Sequence, residues 1–167
     1  VYWSHIGLFI AVAAMLVTID TYGGFDGLYA GKLNLTPFFN RPAENLVGYV
    51  TLTYVPNFFD ILPMYLVMLA LVPAVMALGL LRPIYAGVFV VLLWVAASFH
   101  YLDLPAEPWS DRTWFFNPFA WQLIFFTGFA FGIRWLPAPP VNKILITLAI
   151  LLVLLTIPVA WHRVYQA

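Results

Sequence analysis

PNFFDILPMYLVMLALVPAVMALGLL, residues 56–81, contains one acidic residue, Asp60, and then no charge until Arg82. An apolar run of about 20 residues is the length that crosses a hydrocarbon core of about 30 Å as an α-helix. The stretch therefore reads as a membrane-spanning helix with one carboxylate at its mouth. One role for that carboxylate is structural: Asn57 follows Pro56 as an N-cap, and Asp60 reaches back to the free amides at the positive end of the helix dipole. The other is a place in a polar site at the end of a helical bundle.

The rest of the chain has the same character. Of 167 residues, 64% are hydrophobic, 19% aromatic and only 8% charged, a balance far from that of a soluble domain. Apolar runs cover 1–19, 58–81, 83–101, 117–136 and 142–161. The expected fold class is all-α, a polytopic transmembrane bundle of about five spans forming a single domain over 1–167, with the lipid bilayer as its first partner. Pro83 and the pair Asn117-Pro118 mark two helix starts. Pro63, Pro73 and Pro158 fall inside expected helices, where each removes a backbone bond and should produce a kink. Residues 42–55, with Leu46, Val47, Val50 and Tyr54 along one face, read as a short interfacial helix or a lid. The chain opens on Val1 without a basic n-region, which argues against a signal peptide and for an excerpt of a longer protein.

Charge sets the orientation. The short connections after the second and fourth spans hold Arg82, Arg134 and Lys143 and no acidic residue, so the positive-inside rule places them in the cytoplasm. The longer segments 20–57 and 102–116, rich in acidic and aromatic residues, then belong to the outer face.

Several function classes are set aside by composition. Seven basic and seven acidic residues cancel, leaving no electrostatic footprint for nucleic acid. The chain has no cysteine, which excludes disulfides and thiolate chemistry and leaves the redox compartment open. The three histidines are scattered without metal-ligand spacing, so no metal site is expected. Neither a nucleophile elbow nor a phosphate-cradling glycine loop is present.

Polar residues gather instead at the outer ends of the spans: Asp60, then Ser98, His100 and Asp103, then Asn117 and Gln122. A histidine beside a carboxylate can act as a general base toward a hydroxyl, and the carboxylate fixes its tautomer. Aromatic faces with amides and carboxylates suit carbohydrate. The competing reading makes these residues helix caps and interfacial anchors. His5 stands apart, an ionisable group inside an apolar run and hence a functional candidate, with interfacial anchoring as its alternative. His162 beside Arg163 reads as interfacial.

The quoted stretch, VYWSHIGLFI at 1–10 and WFFNPFAWQLIFFTGFAFG at 114–132 together resemble the OpgC family, bacterial inner-membrane proteins that modify osmoregulated periplasmic glucans with succinyl groups. The resemblance implies a multi-pass membrane O-acyltransferase without a bound cofactor. Its co-substrate would be an acyl-CoA such as succinyl-CoA, the acyl donor, and its acceptor a periplasmic glucan. It also implies that an important histidine lies in a first span preceding this chain. His5, Asp60, Pro63, Tyr65, Asn117, Pro118, Trp121 and Gln122 fall inside family-like blocks, whereas His100 and Asp103 rest on their chemistry alone. The catalytic candidates are His5, Asp60 and His100; the substrate-binding candidates are Tyr65, Asp103, Asn117, Trp121 and Gln122. The rival from another class is a membrane transporter or non-catalytic membrane subunit, for which ionisable residues at mid-depth would be expected.

Overall fold

The computed structural model describes residues 1–137 and 139–160, the side chains of 159 and 160 excepted. His162 and Arg163 lie outside the described residues. The secondary structure is helical: α1 (Tyr2–Gly23), α2 (Leu28–Lys32), α3 (Thr36–Asn40), α4 (Pro42–Val50), α5 (Ile61–Leu81), α6 (Pro83–Ser98), α7 (Pro118–Gly132) and α8 (Lys143–Ala160). The one β feature among the described residues is an isolated antiparallel bridge between Pro105 and Thr113. Residues 1–129 form one compact unit and the residues from 130 onward a second.

Among the described residues, two helices are long and apolar enough to cross a membrane: α1, with a mean hydropathy of 1.8, and α5, with 2.4. The apolar helices α6 and α7 and the segment 143–158 of α8 are shorter. Helix ends account for part of the difference from the expected spans. Beyond α6 the chain turns left-handed at His100, whose φ is 62°, while Tyr101 N–H donates to Ala96 O and His100 N–H to Ala97 O. That paired pattern satisfies the last carbonyls and ends the helix at Ser98. Arg134, with φ 63°, follows α7 in the same way, as Trp135 and Leu136 N–H donate to Ala130 O.

The start of α5 differs from the sequence reading. The helix begins at Ile61, and the Asp60 side chain makes no capping bond. Phe58 takes a left-handed φ of 66° and Phe59 N–H donates to Pro56 O, so a turn occupies the place expected for the first helical residues. Pro63 consequently lies in the first turn, where an amide has no intrahelical partner to lose. Pro73 is the proline inside α5, and Pro158 that inside α8. Asn57 caps nothing: its Nδ2 donates to Lys32 O.

The segment expected as an outer loop, 20–57, packs along one face of α1. That face comprises His5, Phe9, Ala13, Leu16 and Asp20, all buried, at the three- and four-residue spacing that aligns side chains on a helix. At one end, the Asp20 carboxylate accepts Tyr29 N–H at 3.1 Å and Ala30 N–H at 2.9 Å. Midway, Phe9 meets Phe38 and Phe59 edge-on. At the other, Tyr2 Oη donates to Val50 O at 2.8 Å. The expected helix in 42–55 is α4; Leu46, Val47 and Val50 point outward, while Asn45 and Tyr49 are buried and Tyr54 is buried beyond the helix.

Candidate functional site

Helix ends build the first cluster. As the residue that terminates α6, His100 projects an imidazole that is 83% exposed, with Nδ1 2.8 Å from Asp103 Oδ2. A carboxylate only accepts, so Nδ1 carries the hydrogen and Nε2 of the neutral ring is left as a free base. The other Asp103 oxygen accepts Asn117 Nδ2 at 2.8 Å, and Nδ2 also donates to Leu102 O. Asn117 Oδ1 meanwhile accepts Phe119 N–H at 2.9 Å, the capping bond that its place before Pro118 leads one to expect. One residue earlier, Phe116 N–H donates to Asp60 Oδ2 at 2.7 Å. Asp60 thus holds Phe116 next to Asn117, Asn117 holds Asp103, and Asp103 orients His100.

Three other sequence candidates are placed differently. Gln122 is wholly buried on α7, its Nε2 donating to Val90 O at 2.8 Å and tying α7 to α6. Trp121, half exposed, sets its ring 5.7 Å from that of Phe116. Tyr65 is exposed on α5 and joins none of these bonds. Asp60 Oδ1 and Gln122 Oε1 are buried without a hydrogen-bond partner, an arrangement that costs about 1–3 kcal/mol per group unless a ligand or water supplies a donor.

His5 occupies a second cluster. Its ring is buried against Tyr49, 4.3 Å away and nearly parallel; Tyr49 in turn stacks on Phe9 at 4.0 Å. Tyr49 Oη lies 3.0 Å from His5 Nδ1, and His5 Nε2 is buried without a partner. Burial first, then the neighbouring Tyr2, pushes the Tyr49 phenol above its ordinary range, so it keeps its proton.

Sequence reasoning missed a third group that fixes the outer segments to one another. Glu107 is buried, its Oε2 accepting Asn34 Nδ2 at 2.7 Å and Arg112 Nη2 at 3.0 Å, its Oε1 accepting Ser110 Oγ at 2.6 Å. Burial raises its pKa, but these donors and the Arg112 charge outweigh that and hold the carboxyl below the usual range. Arg112 also donates to Val55 O at 2.7 Å and Asn57 Oδ1 at 3.2 Å. Tyr54, from the same region, donates to Asn34 O at 2.6 Å. The partners are far apart in sequence and match no local motif; the only visible signal was one acid and one base five residues apart in an aromatic loop.

No curated protein and no solved structure matches this chain. The family described as OpgC protein, in contrast, matches residues 1–167 from end to end. On that match over its whole length, the chain, whose described residues are helical and include two span-length apolar helices, belongs to the OpgC family.

Proposed function

We propose that this chain takes part in O-acyl transfer to a glucan hydroxyl in the bacterial inner membrane, most specifically succinyl transfer from succinyl-CoA or a similar acyl thioester to an osmoregulated periplasmic glucan. Family membership supports the acyltransferase class. In the proposed topology α1, α5, α6, α7 and α8 cross the bilayer, with Arg82, Arg134 and Lys143 on the cytoplasmic side.

The observation that carries the reading is the bonded series Asp60, Phe116–Asn117, Asp103, His100. It presents an imidazole whose Nδ1 is held by a carboxylate and whose Nε2 is open, the arrangement needed to deprotonate a sugar hydroxyl. The hydroxyl oxygen attacks the thioester carbonyl; a C–O bond forms, the C–S bond breaks, and the hydroxyl proton passes through His100 Nε2 to the departing thiolate. Trp121 borders the acceptor, Asp60 and Gln122 hold the helix ends behind it through Phe116 N–H and Val90 O, and His5 serves the donor side, its unpartnered Nε2 accepting a hydrogen bond there. Asp60, His100 and Asp103 stand at helix ends or beyond them, which suits an interfacial reaction better than a translocation path.

The test is mass spectrometry of periplasmic glucans from cells carrying the full-length protein or its His100→Gln variant. Loss of the succinyl increment in the variant, with the protein still present in the membrane, supports the assignment. Full succinylation in the variant removes His100 from the reaction. Unchanged glucans on deletion of the whole gene would favour a transporter or accessory subunit.

A further inference from the structure

A cleft of about 390 Å3 lies between the α3–α4 segment and the 102–116 segment, lined by Pro37, Asn40, Arg41, Glu44, Asn45 and Trp109. Its volume is that of a small-ligand pocket, about 300–1,000 Å3. Trp109 is half exposed, and buried Tyr54 backs it with ring centroids 5.4 Å apart. Tyr54 is in turn anchored through its hydroxyl to Asn34 O. Ser110, next to Trp109, donates to Glu107 at 2.6 Å and closes the loop that carries the indole. Across the cleft, Asn45 Nδ2 donates to Pro37 O at 2.6 Å and sets the wall. Arg41 and Glu44 face each other at 3.6 Å and are each about three-quarters exposed, so both keep open hydrogen-bonding positions.

We propose that this cleft is a saccharide subsite that holds glucose units of the acceptor remote from the reacting hydroxyl. Three features select the ligand class. The opposite charges of Arg41 and Glu44 cancel, which removes the field that would favour an anion or a cation. The planar guanidinium, carboxylate and amide groups match adjacent hydroxyls as paired donors and acceptors. The indole supplies an apolar face for the C–H surface of a pyranose ring. A polymeric acceptor extends beyond its reacting hydroxyl, and binding energy from its distant units can position the reacting one. The inference rests on the acyl-transfer reading for the identity of the polymer, while the cleft itself is formed independently of the His100 cluster.

The experiment is titration of a linear glucose oligomer against the full-length protein in nanodiscs, with succinyl transfer to the same oligomer measured in parallel. Trp109→Ala is expected to weaken binding about tenfold or more and raise KM with little change in kcat, while Trp109→Phe retains most of the affinity. Glu44→Gln, at an exposed position that does not threaten folding, is expected to weaken binding severalfold. Unchanged affinity in both Trp109→Ala and Glu44→Gln overturns the subsite, whatever the transfer activity. Affinity that depends on Trp109 and Glu44 in a protein that transfers no succinyl group supports the subsite and overturns the acyl-transfer reading alone.

Discussion

Tyr49 Oη lies 3.0 Å from His5 Nδ1 and also 3.0 Å from the His5 carbonyl oxygen. A phenol has one proton to give, and a carbonyl can only accept. Both short contacts contain a hydrogen only if Tyr49 donates to the carbonyl and Nδ1–H donates to Tyr49. The imidazole is thereby fixed as the Nδ1–H tautomer, and the partnerless Nε2 is a bare acceptor in a desolvated site. Tyr49→Phe keeps the stack but leaves Nδ1 without a partner. We expect it to cost about 1–3 kcal/mol and to shift the His5 ring toward Nε2–H, read by 15N NMR of histidine-labelled full-length protein. A His5 tautomer unchanged by Tyr49→Phe would refute this arrangement.

Asp60 bridges two segments rather than capping its own helix, which makes its substitution informative. Asp60→Asn retains an oxygen for Phe116 N–H but removes the charge that strengthens the 2.7 Å bond. Glucan succinylation should fall while membrane insertion persists. Normal succinyl content in this variant would confine Asp60 to joining the start of α5 to the approach of α7.

Asn117→Ala removes two things together, the cap on α7 and the hold on Asp103. Loss of the cap should destabilise the protein by about 0.5–2 kcal/mol. Asp103→Asn, which leaves the cap oxygen of Asn117 untouched, separates the two effects. It should reduce succinyl transfer with a smaller change in unfolding midpoint, because the acceptor that selects the His100 tautomer is altered. Equal activity loss per unit of stability loss in the two variants would count against an orienting role for Asp103.

Burial raises the Glu107 carboxyl, but its three donors, Arg112, Ser110 and Asn34, together with the Arg112 charge, outweigh that and hold it below its ordinary value of 4.5. A group depressed in the folded state stabilises fully above its unfolded pKa, and that contribution is lost as pH falls through the folded value. Acidification from neutrality should therefore loosen the junction between 34, 55–57 and 107–112 only below the ordinary carboxylate range. Fluorescence of Trp109 and Trp114 reports this. Glu107→Gln should lower stability at neutral pH and flatten that acid dependence.

Close packing gives a further check. A Cβ on Gly48 would stand 2.9 Å from the Tyr54 Cβ, and Gly48 O already accepts the amides of Thr53 and Tyr54. Neither side can retreat easily, so Gly48→Ala should cost about 1–3 kcal/mol, measured as a lowered unfolding midpoint. An unaltered midpoint would mean that α4 and the turn after it are free to separate.

The continuous apolar runs made the helices legible, since span-length runs and proline-marked starts reflect local chemistry. Asn117 before Pro118 announced a cap, and His100 with Asp103 announced a pair three residues apart. The start of α5 was misread because a left-handed Phe58 and a distant amide, that of Phe116, outcompete the local capping bond. The Tyr49–His5 contact joins residues 44 apart, and Asn34–Glu107 joins residues 73 apart. Neither has a spacing rule to reveal it. Asp20 looked like an outer-loop charge, yet its carboxylate closes α1 onto α2.

The buried face of α1 has a consequence for biogenesis. His5 and Asp20 find their partners only in residues 29, 30 and 49, and Phe9 its last neighbour in Phe59. At about 5–20 residues per second of synthesis, several seconds separate the emergence of α1 from that of the chain that covers it. During that interval α1 carries an imidazole and a carboxylate with no protein to shelter them. Its release from the insertion machinery into lipid should therefore wait for residues 24–60, so that the buried face of the helix is covered before it meets the bilayer.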